Sequence, residues 1–290
     1  MIITSSLKLL RPHQYVKNFF IILPLFFSLK ITDTDLLFNA ALAFLAFSLT
    51  ASAVYVLNDL CDIEEDRQHP KKKDRPLASG SLQKSHAIGI VLALFICGFG
   101  LMAPISLKAV TLLAIYVVMN IFYSAYLKQI AILDVTIIAI GFVLRLFVGS
   151  AVTNTPLSMW IVIMTFLLAL FLALAKRRDD VLIYNDTGIK MRKVIDGYTL
   201  QFLDSAMAIM GSVVIVAYTS YTTSQVVVER FHSEHLYLTA LFVILGIMRY
   251  LQLIFVNKES GSPTQIVLTD KFMQLTLIFW IVTFAGIIYR

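Results

Sequence analysis

Apolar runs of bilayer-crossing length recur along the whole chain, and that repetition constrains the fold more than any other feature. A transmembrane helix needs about 20 predominantly apolar residues. Candidate spans fall at 15–29, 36–57, 85–105, 109–127, 131–153, 157–175, 200–226, 236–256 and 271–289. The runs are continuous rather than alternating, which disfavours a transmembrane barrel. With 59% hydrophobic residues and a mean hydropathy of +0.82, a soluble domain of 290 residues has no core large enough to hide these side chains. The expected fold is all-α: one polytopic membrane domain, residues 1–290, built as a nine-helix bundle with polar loops.

Orientation follows from charge. With an inside N-terminus and nine spans, 18 of the 24 Lys and Arg lie on one side, as expected for cytoplasmic segments. Two large polar loops, 58–84 and 176–199, then share the cytoplasmic face of an inner membrane. The start, MIITSSLKLLRPHQYVKNFF, lacks a basic region followed by an unbroken apolar core, and is not expected to act as a signal peptide. Cys61 and Cys97 are the only cysteines; they form neither a disulfide framework nor a zinc spacing. Nothing in the sequence calls for nucleic acid, and the oligomeric state is left open, with a homo-oligomer compatible.

The first polar loop reads NDLCDIEEDRQHPKKKDRPLASG from Asn58. Placed on a helix continuing the second span, Asn58, Asp59, Asp62 and Asp66 fall within an arc of about 100°, while Glu64 points away. Such an oxygen-rich wall suits Mg²⁺, which takes a few carboxylates and keeps positions for water and phosphate. Lys71, Lys72, Lys73 and Arg75 follow, as a metal-bridged diphosphate requires. The plainer alternative is a solvated loop whose acids and bases pair and set topology. Arg145 lies deep in the fifth span, where a cation is a functional candidate by default; its partner is not readable from sequence.

The run N-D-x-x-D-x-x-x-D with H-P-x-K-x-x-R-P resembles the first aspartate-rich motif of the UbiA superfamily of intramembrane prenyltransferases, whose members have nine transmembrane helices. RPHQYVKN (11–18), YSAYLK with ILDV (123–135), GFVLRLFVG (141–149), AKR (175–177) and RKVIDGYTLQFLD (192–204) resemble its decaprenyl-phosphate phosphoribosyltransferase branch. That resemblance implies a Mg²⁺-dependent enzyme moving 5-phosphoribose from phosphoribosyl pyrophosphate to a polyprenyl phosphate. The catalytic set would be Asn58, Asp59, Asp62 and Asp66, with Asn58, Asp62 and Asp66 on the metal. Lys72, Arg75, Tyr123, Lys128, Asp180, Arg192 and Tyr198 would bind diphosphate and phosphoribose. Lys17, Lys176, Arg177 and Arg145 would meet the lipid phosphate.

One departure bears on the choice. A second D-x-x-x-D motif is expected of the aromatic prenyltransferases, but four residues after Asp180 stands Tyr184. That weakens the runner-up reading, prenyl transfer from a polyprenyl diphosphate to an aromatic or polar acceptor. A transporter is the third reading; it would carry ionisable groups at mid-membrane on several helices, whereas here the acids cluster at one face.

Overall fold

The computed structural model describes residues 9–68, 73–188, 190, 193–256 and 263–289. Among them, eight helices are long and apolar enough to cross a membrane. They are α1 (Thr34–Cys61), α2 (Lys84–Met102), α3 (Leu107–Ala125), α4 (Leu133–Thr153), α5 (Met159–Thr187), α6 (Leu200–Thr223), α7 (Ala240–Phe255) and α8 (Lys271–Ile288). A 3-10 turn, His235–Thr239, extends α7 to span length. Side-chain oxygens cap several starts: Asp33 on α1, Ser106 on α3, Ser158 on α5, Thr199 on α6 and Asp270 on α8. Each satisfies backbone N–H groups that a helix start leaves open.

The segment expected as a first span, 15–29, is not such a helix. Pro12–Ile21 winds as 3-10 and Leu23–Phe27 follows as a short α-helix. It nevertheless runs antiparallel alongside α1: Arg11 meets Asp59, Asn18 meets Ser48, and the Phe19 ring lies 5.1 Å from Phe44. From 59 back to 44 is fifteen residues of α1, about 22 Å of axis at 1.5 Å per residue. The backbone comes so close to α4 that a Cβ at Gly149 would collide with the Ile21 carbonyl.

The chain divides into two compact units between Leu157 and Ser158. In the first, α1 is central: α2, α3, α4 and the 3-10 segment all pack on it. Its buried face is rich in small residues, Ala40, Ala43, Ala46, Ala51 and Ala53, which let neighbouring helices approach. At Gly98 of α2, an added Cβ would run into Thr50 and the Ala46 carbonyl. Phe47, Leu113, Leu144 and Val148 complete the core. In the second unit α5 packs on α6, and α7 on both α6 and α8.

Length places the polar ends. Helix α1 has 28 residues and α5 has 29, about 42 Å each, against about 30 Å of hydrocarbon. Each therefore outruns the lipid by about two turns. In both, polar groups sit on the surplus: Asn58 and Asp59 on α1, Asp179 and Asp180 on α5.

Candidate functional site

The acids at the end of α1 do not ride one continuous helix. The helix breaks at Asp62 (φ −100°, ψ 11°), and a short helix Ile63–Gln68 follows. The break sorts the expected single wall into two groups, each joined to cations. In one, Asp59 accepts from Arg11 Nη2 at 2.6 and 2.8 Å, and Arg75 Nη1 donates to both Asp59 (2.9 Å) and Asp66 (2.6 Å). In the other, Asn58 Nδ2 donates to Asp62 at 3.1 Å, Lys128 Nζ donates to Asp62 at 2.5 Å, and Ser124 donates to the Asn58 carbonyl at 3.1 Å. Glu64 turns outward to Arg67, as its helical phase predicts.

Strained backbone delivers two of these cations. Arg11 is left-handed (φ 52°, ψ 56°), a conformation that costs an L-residue roughly 1–2 kcal/mol, and the following Pro12 restricts it further. Lys128 sits on the 3-10 turn Leu127–Gln129 after α3. Just beyond it Ile132 adopts φ 71°, ψ −47°, rare for a β-branched residue. Such outliers gather where function holds a geometry in place.

Arg145 now has its partner. It is 4% exposed and donates through Nε to Asn18 Oδ1 (2.8 Å), through Nη1 to the Gly141 carbonyl (2.7 Å), and through Nη2 to Tyr116 (3.4 Å). Phe47, Tyr116 and Phe142 stack on its guanidinium. Asn18 in turn donates to Ser48 at 2.8 Å. The deep cation therefore ties the 3-10 segment to α4 and α1. Lys17 lies half-buried on that segment.

In the second unit, Arg177 is fully buried and pairs with Asp180 one turn on. Arg178 pairs with Asp204 of α6 at 2.5 Å, donates to the Ile254 carbonyl at 3.2 Å and lies over Phe255. Tyr198 is buried against Phe202, and Lys176 is exposed. Tyr123 is half-buried on the last turn of α3, one residue before Ser124. Lys72 and Arg192 lie outside the described residues.

Sequence reasoning missed Arg11 and Ser124 as members of the acidic cluster. Arg11 lay within a quoted family-like stretch, as an Arg before Pro, but carried no assigned role. Ser124 likewise lay within a quoted stretch, YSAYLK, without an assigned role; the packing of α3 on α1 brings it to Asn58.

No group of three or more His, Cys, Asp or Glu converges as a ready-made metal cage among the described residues. What is present is oxygen donors only, in the two groups Asn58 with Asp62 and Asp59 with Asp66, each carboxylate held by a cation. That fits Mg²⁺, which is bound through one or two carboxylates plus phosphate oxygens rather than by an all-protein cage. It fits zinc or copper poorly, because no Cys or His stands in the set.

An all-helical protein with eight helices of membrane-crossing length and a built acid–cation cluster at the end of α1 has the make-up of an intramembrane enzyme. The chain matches the UbiA prenyltransferase family over residues 19–288 and belongs to it. It is 28% identical to the decaprenyl-phosphate phosphoribosyltransferase of Corynebacterium glutamicum, over 98% of this chain and 87% of that protein. It is 27% identical to the enzyme of that name from Mycolicibacterium smegmatis, over 99% and 93%. Its fold matches a UbiA homologue from Archaeoglobus fulgidus bound to DMAPP and Mg²⁺, with a TM-score of 0.73 and 19% identity over 98% and 99% of the two chains. The protein is a transferase, integral to a membrane.

Proposed function

We propose that this transferase moves 5-phosphoribose from phosphoribosyl pyrophosphate to a polyprenyl phosphate and releases pyrophosphate. The reaction would take place at the cytoplasmic face of the inner membrane. The observation that carries the reading is the alternation of carboxylates and cations at the end of α1. Asp62 with Lys128, and Asp66 with Arg75, are neutral pairs that a metal-bound diphosphate can enter by exchange. The acids would hold the metal, and the cations would then be released to meet phosphate oxygens.

A lipid phosphate oxygen forms a bond to C1 of the ribose as the C1–oxygen bond to pyrophosphate breaks, and the electron pair leaves with pyrophosphate. The attacking phosphate is ionised near neutral pH, its second pKa being about 6, so the protein needs no general base. Its work is positioning and stabilising the leaving group. Asn58, Asp62 and Asp66 would hold Mg²⁺, which when bound would neutralise charge on the departing diphosphate. Lys128, Arg75, Lys72 and Tyr123 are assigned to the diphosphate and phosphoribose.

Lys17, half-buried on the segment that packs beside α1, takes the lipid phosphate. Arg145 holds the segment that carries Lys17. In the second unit Asp180, Arg192 and Tyr198 are assigned to the phosphoribosyl part, with Arg177 holding Asp180, and Lys176 to the lipid phosphate. The family match crosses both units, which supports reading the whole chain as one transferase domain.

The test is transfer of labelled phosphoribose into an organic-soluble product by purified protein with Mg²⁺ and a series of polyprenyl phosphates. Asp62→Asn and Asp66→Asn should abolish transfer while the protein stays folded. Label transfer from a polyprenyl diphosphate to an aromatic acceptor, with none from phosphoribosyl pyrophosphate, would overturn the donor assignment.

A further inference from the structure

We propose that Arg11 binds a phosphate group of the substrate alongside Arg75, and that Asp59 is the positioning residue holding the two guanidiniums as a pair. The proposal deepens the function proposed above and rests on it for the identity of the ligand.

Asp59 is poorly placed to act on a metal or a substrate. It is 2% exposed, and three charge-assisted hydrogen bonds already fall on its two oxygens. The guanidiniums around it are placed the other way. Arg11 and Arg75 keep 21% and 26% of their side-chain surface, so the acid stands behind and the cations in front. Arg11 reaches both Asp59 oxygens with Nη2 alone, and an arginine carries five N–H donors in a planar fork. Two such forks fixed by one shared carboxylate match the oxygens of a phosphate.

The N-terminal segment is organised to deliver Arg11. Residues 48, 52, 55 and 59 of α1 recur at helical spacing along one stripe, and each grips the segment in turn. Ser48 accepts from Asn18. Ser52 is hydrogen-bonded to Tyr15 and donates to the Leu10 carbonyl. The Tyr55 ring lies under the Arg11 guanidinium at 5.4 Å, and Asp59 closes the series. Below Arg11 the segment is already fastened by Tyr15, by Asn18 and by Arg145 behind Asn18. A left-handed arginine at the end of this ladder is superfluous as a fastening and explained as a ligand.

The experiment measures, on full-length protein in detergent, the affinity for inorganic pyrophosphate with Mg²⁺ and, separately, for a short-chain prenyl monophosphate. Thermal unfolding of each variant confirms the fold. Arg11→Met should lose about tenfold or more in one arm, the loss of one charge-assisted contact, and that arm identifies which phosphate Arg11 meets. Arg11→Lys should recover part of it. Asp59→Asn should weaken the same arm without moving the Mg²⁺ concentration for half-saturation, whereas Asp62→Asn should move it. A folded Arg11→Met that keeps wild-type affinity in both arms overturns the proposal. So does an Asp59→Asn whose Mg²⁺ half-saturation shifts as Asp62→Asn does, or a wild-type protein that binds neither phosphate. If phosphoribose transfer fails but these binding losses appear, the donor assignment falls and the role of Arg11 stands.

Discussion

Replacing Asn18 with Leu tests how a buried guanidinium is tolerated inside this bundle. Asn18 joins two contacts: it accepts from Arg145 Nε and donates to Ser48 Oγ, both at 2.8 Å, and all three residues are buried. A hydrogen bond to a charged group is worth about 1.5–3 kcal/mol, and a neutral interhelical bond in a membrane protein about 0.6 kcal/mol. The expected loss is therefore about 2–4 kcal/mol, mostly from the guanidinium left without its acceptor. Asn18→Asp keeps that acceptor and should cost less than Asn18→Leu. In the double variant Asn18→Leu with Arg145→Met, the stranded charge is gone, so its loss should be smaller than the two single losses added. The assay is denaturant unfolding in a fixed detergent, followed by helix signal. If Asn18→Leu unfolds like wild type, or the double-variant losses simply add, the claim that Asn18 shelters Arg145 is wrong.

Other outcomes follow from the same geometry. Arg75→Met leaves Asp59 and Asp66 without their shared cation, and should destabilise by about 3–5 kcal/mol, as when one partner of a buried pair is removed; unfolding in the same detergent reads this. Gly149→Ala forces Ile21 off α4 and should cost about 1–3 kcal/mol by overpacking, whereas Gly89→Ala, where a Cβ meets open space, should not destabilise. Lys128→Met should lower turnover by about 10²-fold or more, the scale of losing one transition-state electrostatic contact, with a fold intact by unfolding.

A pH effect is expected at Asp270, which lies outside the spans. The Arg249 hydrogen bond holds its carboxyl below the usual range. A depressed folded-state value contributes stability that is present above the unfolded value, about 4, and is lost as pH falls through the folded one. Asp270→Asn should therefore flatten the acid side of the stability curve, and an unchanged acid limb would count against the pair.

The sequence by itself determined the solvent and the chemistry. Continuous apolar runs admit one way to satisfy a backbone in lipid, so helices were legible from hydropathy alone. The acids of 58–66 were legible as oxygen donors because residue type carries that information locally. Glu64 pointing away was legible too, since it needs only the helical period, and the structure bears it out. What sequence could not carry is anything that depends on which segment lies beside which.

The break at Asp62 splits the acids into two cation-bound groups, and Arg11 and Ser124 reach them across 48 and 66 residues of chain. Arg145 finds its acceptor 127 residues away. The first segment is the clearest case. Its apolar run reads as another helix, yet Pro12–Ile21 winds as 3-10 with Tyr15 and Asn18 bonded to Ser52 and Ser48 of α1, partners that no local pattern in the run announces. Local pattern encodes which groups are hidden; only tertiary packing decides which hidden polar groups meet, because each must find a partner somewhere in the fold.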